Sequence, residues 1–221
     1  MLMTPSVYAN ALPVNIYRDD SNKTQGGGVW SSMRLETESG WKKASDIVAG
    51  DQVLTLDNGL RTVWNVQRKR LDVRTDALPL VVAAGTAGNS REFLVPEKQV
   101  VMVESDQAEQ LTGSRYALIC ASDLIGYMGV SRIVPPEEFE VVSLEFQNDE
   151  IVCAANGSLL LAAGSCQPEN SDDLSLQNPR YRVLSSELAT SLISKTVPEI
   201  QTSAWNNGID AQVGCRCVDR V

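Results

Sequence analysis

One short motif, written twice, constrains this chain more than any other feature. Ala44-Ser45-Asp46-Ile47-Val48 returns as Ala121-Ser122-Asp123-Leu124-Ile125, 77 positions later. Each copy follows a strand-like run and leads through a glycine turn into another. A unit repeated in that context reads as an internal duplication. Two strand–turn–strand units in one chain predict a pseudo-twofold β fold rather than a sandwich.

The remaining patterning agrees. Residues 33–38 alternate apolar and charged positions, as a half-buried strand does. Residues 52–56 read as a strand, and Asp57-Asn58-Gly59 predicts a tight primed hairpin turn. Residues 60–71 read as one long strand. Further strands are expected at 78–85, 91–95, 99–103, 116–119, 138–144 and 150–155, with an apolar run at 158–163. Residues 105–111 read as a single helical turn. Leu184, Leu188, Leu192 and Ile193 share one helical face, with Ser185 or Ser186 as its cap and Pro198 beyond its end. That face is expected to cover the core. About ten short β segments and one modest helix make the class all-β.

The expected organisation has four parts. Residues 1–27 form an arm, and residues 28–163 the β domain. Residues 164–179, rich in Ser, Asn, Asp and Pro, form a loop or linker. Residues 180–221 form a C-terminal segment with the helix.

Composition excludes several classes of function. The net charge of −9 and pI near 4.6 argue against nucleic acid, because phosphate recognition needs a basic face. The same charge disfavours anionic membranes, and no apolar run reaches spanning length. The first residues lack a basic start followed by a long apolar stretch, so no signal peptide and cytoplasmic synthesis are expected. There is no histidine among the 221 residues, which removes the commonest proton shuttle and metal ligand. Cys120, Cys153, Cys166, Cys215 and Cys217 are odd in number and read as reduced thiols. The Cys215-Arg216-Cys217 pair lacks partners for a zinc site. No cofactor or metal is expected. Gly26-Gly27-Gly28 has no Gly-Lys-Ser/Thr after it and is not a phosphate loop.

Asp46 and Asp123, one per copy, are expected to bond nearby backbone N–H groups and cap their turns. Asp149-Glu150 sits at a hairpin, and Asp19-Asp20 and Asp172-Asp173 are solvated; none matches a calcium loop. Arg68-Lys69-Arg70 reads as a solvated face or as edge protection against strand pairing, ahead of a site for an acidic partner. The four tryptophans, Trp30, Trp41, Trp64 and Trp205, are dispersed and form no stacking platform.

Four stretches together resemble the Hint (Hedgehog/intein-type) domain, in its bacterial stand-alone form. Gly28-Val29-Trp30-Ser31-Ser32-Met33-Arg34-Leu35-Glu36-Thr37-Glu38-Ser39-Gly40 resembles the opening block C-F-x-x-G-T-x-I-x-T-x-x-G. Ala44-Ser45-Asp46-Ile47-Val48-Ala49-Gly50-Asp51-Gln52-Val53-Leu54-Thr55 resembles V-E-D-L-x-x-G-D-x-V-x-T. Residues 93–103 resemble L-V-S-P-x-H-x-V-L-V, and residues 150–157 resemble H-E-V-V-x-A-N-G. The resemblance covers about residues 28–163 and implies a horseshoe of short antiparallel strands with pseudo-twofold symmetry.

It also implies two functional positions, and this chain departs at both. The family nucleophile is the Cys that opens the first block, whose thiol attacks the preceding carbonyl. Here Gly28 stands in its place. The family His that protonates the departing nitrogen falls at Gln99, which cannot act as an acid. Ser32-Met33 replaces the family's Gly-Thr. The expectation is therefore a degenerate domain without catalytic residues. It would serve as a structural or binding subunit of a larger assembly, such as a phage or phage-like particle. Its partners would be protein subunits reached through residues 1–27 and 180–221, with self-association open. Two alternatives stay open: self-processing by a displaced nucleophile such as Ser31 or Ser32, and a β module that binds a small ligand or peptide in the vacated cleft.

Overall fold

A computed structural model describes residues 27–72, 74–135, 139–164 and 181–196. The residues read as an arm up to Gly26, the Ser- and Asn-rich stretch 165–180 and the chain end with Cys215 and Cys217 lie outside the described residues.

Strands dominate. In chain order they are β1 Val29–Trp30, β2 Arg34–Thr37, β3 Gly40–Lys43, β4 Gln52–Thr55, β5 Gly59–Thr62, β6 Asn65–Leu71 and β7 Leu80–Val82. Then come β8 Phe93–Val95, β9 Val100–Glu104, β10 Tyr116–Cys120, β11 Ser131–Arg132, β12 Phe139–Phe146, β13 Glu150–Cys153 and β14 Leu159–Gly164. Two helices are present among the described residues, α1 Asp106–Thr112 and α2 Ser186–Thr196. Eleven of the strands form one sheet, and β11-β7-β8 form a second. The class is all-β, as the patterning predicts.

The duplication is visible in the backbone. Both motif copies are 3-10 turns, Ala44–Asp46 and Ala121–Leu124, each entered from extended backbone at Lys43 and Cys120. Their hydrogen bonds match one for one. Ala44 N–H donates to the Met33 carbonyl at 2.7 Å and Ser45 N–H to that of Ser31 at 2.9 Å. Ala121 N–H donates to the Gln99 carbonyl at 2.8 Å and Ser122 N–H to that of Glu97 at 2.9 Å. Each copy is fed by an antiparallel hairpin, β2–β3 in the first and β9–β10 in the second. Gln99 is thus the pseudo-twofold mate of Met33.

Four sequence expectations need correction. The run 60–71 is two strands, not one. Val63 is buried, its N–H bonding the Asp51 carbonyl, and Trp64 N–H turns to the Glu145 carbonyl. The chain bends there because β5 belongs to β4 while β6 belongs to β12. The Asp57-Asn58-Gly59 turn is not a two-residue primed turn. Thr55 pairs with Gly59 across three loop residues, and only Gly59 takes a positive φ, +66°. That is the turn-plus-left-handed-glycine form. Residues 106–112 make a seven-residue helix rather than one turn, with the Ser105 hydroxyl accepting from Gln107 N–H and Gly113 closing it. The predicted cap Asp46 bonds a side chain rather than a backbone N–H, accepting from the Ser45 hydroxyl at 2.9 Å. Asp123 accepts from the Ser122 hydroxyl at 3.5 Å.

Asp51, rather than Asp46, fastens the backbone of the first turn. Its carboxylate accepts from Val48 N–H at 2.8 Å and pairs with Lys42 at 2.6 Å. The Lys42 hydrogen bond holds its pKa below the ordinary 3.8, helped by Val48 N–H. A folded value below the unfolded one means the stabilisation is full above the unfolded pKa. It is lost as pH falls through the folded value. Asp51→Asn is therefore expected to cost about 1 kcal/mol at neutral pH, typical of a partly exposed charge-assisted contact. The gap to wild type should narrow in a urea-melt series as pH falls below the ordinary carboxylate value of 3.8.

The sheet carries apolar residues on both faces around β9, β10, β13 and β14. One face joins the main core with Leu35, Ile47, Val53, Val101, Ile119, Val152 and Leu160, all nearly inaccessible. The other face, Val100, Leu118, Ile151 and Leu161, is covered by Tyr181 and Val183. Leu118 bridges Val183 in parallel, and the Tyr181 hydroxyl bonds Asp57. Helix α2 follows, its first turn capped by Ser185, with Leu184, Ala189 and Leu192 in the main core. The amphipathic face does what its spacing predicts. Arg68 of the basic triplet donates to the carbonyls of Ser45 and Ile47, tying β6 to the first 3-10 turn. Lys69 pairs with Asp76 at the exposed edge.

Candidate functional site

Gly28 and Gln99 lie 71 residues apart in sequence and meet in space. Gly28 leads into β1, which pairs with β12 in the register Val29↔Val142. Gln99 precedes β9 and is 2% exposed. Gly28 N–H donates to Gln99 Oε1 at 2.7 Å. Gln99 Nε2 in turn donates to the carbonyls of Val100 at 2.8 Å and Leu161 at 2.9 Å. Both ends of the buried amide are thus in use, as burial of such a group requires.

A third residue completes the site. The Ser143 hydroxyl donates to the Gly27 carbonyl at 2.6 Å. The peptide unit joining Gly27 to Gly28 is therefore held at both ends, its oxygen by Ser143 and its N–H by Gln99. Gly28 itself has φ +155°. A Cβ built there would lie 2.5 Å from Val141 Cγ1, 2.8 Å from Ser143 Oγ and 2.9 Å from the Val142 carbonyl oxygen. β12 runs flush against this glycine.

Ser143 was not among the sequence-predicted residues. It is one serine in a strand of otherwise apolar and acidic residues, FEVVSLEF, and only its register opposite the Gly27–Gly28 peptide gives it a role. The displaced-nucleophile candidates fare differently. Ser31 N–H bonds the Glu140 carbonyl as part of the β1–β12 ladder, and among the described residues neither the Ser31 nor the Ser32 hydroxyl contacts a carboxylate or thiol.

The peptide unit borders a cleft of about 410 Å³ between β12, β14 and the Lys98–Val100 stretch. Its wall includes Gln67, Lys98, Ser143, Glu145 and Gly164. Neither Trp30 nor Met33 fills it: Trp30 stacks near Phe139, ring centres 6.0 Å apart, and Met33 packs on the core. Glu145 is bonded by Gln67 and Asn65 at the rim.

The other candidate groups are structural. Glu150 is 3% exposed and accepts from Asn58 Nδ2 at 2.8 and 2.9 Å, with Arg61 at 3.7 Å. Asp149 accepts from Gly164 N–H at 2.8 Å. Cys153 is half-buried; burial, then Glu36 and Asp57, push its thiol above the ordinary value, so it is a poor nucleophile. Cys120 Sγ donates to the Glu97 carbonyl at 3.2 Å. No cluster of three metal-ligating groups occurs among the described residues. No helix among them is long and apolar enough to cross a membrane.

Residues 31–160 match the family model described as the Hint domain. No curated protein matches the chain. Among solved structures the chain is similar to the gp41-1 intein at 14% identity and TM-score 0.40, covering 63% of this chain and 100% of that one. It is also similar to a bacterial intein-like domain from Clostridium thermocellum, at 10% identity and TM-score 0.43, with 64% and 100% covered. A splice-inactive variant of the AceL NrdHF class 3 split intein gives 15% identity and TM-score 0.41, with 63% and 99% covered.

Proposed function

Because the chain belongs to the Hint domain family, we propose that it is a Hint domain that does not cleave itself and acts as a structural or binding subunit of a larger assembly. The observation that supports this is the direction of one hydrogen bond. Gly28 N–H donates to the Gln99 side-chain oxygen. An acceptor aimed at an amide hydrogen strengthens the intact amide. It cannot deliver a proton to that nitrogen as it leaves, which is the step a general acid performs. Gly28 brings no thiol or hydroxyl to attack the Gly27 carbonyl. Loss of both members of such a pair costs many orders of magnitude in rate. The Ser143 hydroxyl does polarise that carbonyl in the manner of an oxyanion donor. A donor without a nucleophile holds a peptide in place and does not break it.

The setting proposed is contact with protein subunits through residues 1–27 and 180–221, in a phage-like particle or similar body, without cofactor, nucleic acid or membrane. Within the described part of the second segment, the apolar face of α2 is taken up by the chain's own core. A partner would meet the outward side of α2 instead. The test is intact mass of the full chain after overnight incubation with dithiothreitol or hydroxylamine. An unchanged mass is expected. A product cut between Gly27 and Gly28, or before Ser31 or Ser32, would replace this reading with self-processing.

One observation favours a second reading. Among the described residues no side chain fills the cleft beside the clamped peptide, with Trp30 and Met33 both packed elsewhere. A small ligand or short peptide is its proposed occupant in that case.

A further inference from the structure

We infer that β12 is a steric lock on position 28, and that Val141 and Ser143 decide which residue that position accepts. The inference rests on the non-cleaving reading and explains how the chain enforces it. Three atoms crowd a Cβ at Gly28, and all three belong to consecutive residues of β12. Contacts of 2.5, 2.8 and 2.9 Å are below what a real Cβ tolerates. Val141 is 5% exposed and packs with Leu94 and Phe139, so its methyl group gives way only by disturbing that cluster. Ser143 Oγ could rotate, but only by releasing the Gly27 carbonyl. The Val142 carbonyl is backbone in the β1–β12 ladder. The φ of +155° adds a strain that a side chain would carry and glycine does not.

The consequence is that absence of the nucleophile is not a single missing side chain. The space beside the Gly27 carbonyl is occupied by the Ser143 hydroxyl and walled by Val141. Returning a thiol to position 28 therefore displaces β1 from β12 rather than presenting sulfur to the carbonyl. Cleavage would need the introduced thiolate to bond the Gly27 carbonyl carbon, the carbon–nitrogen bond to break, and the proton to pass to the Gly28 nitrogen. The lock prevents the first of these.

The experiment is a double-mutant cycle on the full chain, with alanine as the smallest Cβ. Gly28→Ala is expected to lower Tm by about 5 °C or more, and by clearly less in a Val141→Ala background. Gly28→Cys combined with Gln99→His is expected to release no fragment with dithiothreitol. An unchanged Tm for Gly28→Ala overturns the lock. So does a Tm loss of the same size in both backgrounds. Fragment release by the Gly28→Cys, Gln99→His chain also overturns it, while a wild-type chain of constant mass leaves the non-cleaving reading standing. If Gly28→Cys, Gln99→His fails to fold, the alanine cycle decides alone.

Discussion

Gln99→Leu is expected to remove at least about 3 kcal/mol of stability, a large share of what a domain of this size has. Leucine nearly matches the volume but has no polar atoms. Three backbone groups lose their partner at once: Gly28 N–H and the carbonyls of Val100 and Leu161. Each hydrogen bond lost from a buried group costs about 1 kcal/mol, and up to about 3 where the group keeps no other partner. Gly28 N–H borders the cleft and water can reach it, which sets the estimate nearer the lower end. Gln99→Glu separates the roles of the two amide ends. A carboxylate still accepts from Gly28 N–H, but it cannot donate to two carbonyls and is buried as a charge. It should be as damaging as leucine at neutral pH and recover partly in acid, as the carboxyl protonates. Equilibrium urea unfolding at two pH values reads both. A loss under 1 kcal/mol for Gln99→Leu would mean that water replaces the amide and that Gln99 is not the tie across the two halves.

The second large effect lies at the other end of the described chain. A protein ending at Gly164 is expected not to fold cooperatively. Composition alone places a boundary there, because the stretch that follows is polar. Yet Tyr181 and Val183 cover Val100, Leu118, Ile151 and Leu161, and Leu184, Ala189 and Leu192 enter the main core. Stripping them exposes several large apolar side chains, each worth about 1.5–3 kcal/mol. Their sum is on the order of the whole stability of a domain. Truncation also removes residues beyond the helix, so a point variant in the intact chain is the control. Leu192 is 0% exposed, and Leu192→Asp should cost more than about 4 kcal/mol by burying an unpaired carboxylate. Loss of a sharp thermal transition in both proteins is the expected result. A cooperative melt for the shortened chain would make residues 181–196 an accessory rather than part of the fold.

Much of the fold was legible beforehand. Repetition of Ala-Ser-Asp predicted the duplication, and both copies form the same 3-10 turn with the same bonds to residues 31 and 33 or 97 and 99. The spacing of Leu188 and Leu192 predicted a core-facing helix. What the patterning missed has physical reasons. β3 is not among the expected strands because Gly40–Lys43 is largely on the outside of an edge strand and carries no apolar alternation. β8 and β10 are legible as short apolar runs at 91–95 and 116–119 but show no alternation, because both of their faces are largely buried. The break at Val63–Trp64 depends on which strands β5 and β6 pair with, and pairing is not local.

The amino-acid sequence by itself determined what chemistry is absent at the central peptide. Glycine has no side chain at position 28, glutamine at 99 has no titrating proton, and the chain has no histidine. Those are properties of residue types and need no fold. Only the tertiary structure decided what stands there instead. It joins Gly28 to Gln99, brings Ser143 to the Gly27 carbonyl, and lays β12 where a nucleophile's Cβ would be. Ångström-scale contacts between residues far apart in the chain follow from strand register, and register is set by how both faces of the whole sheet are buried.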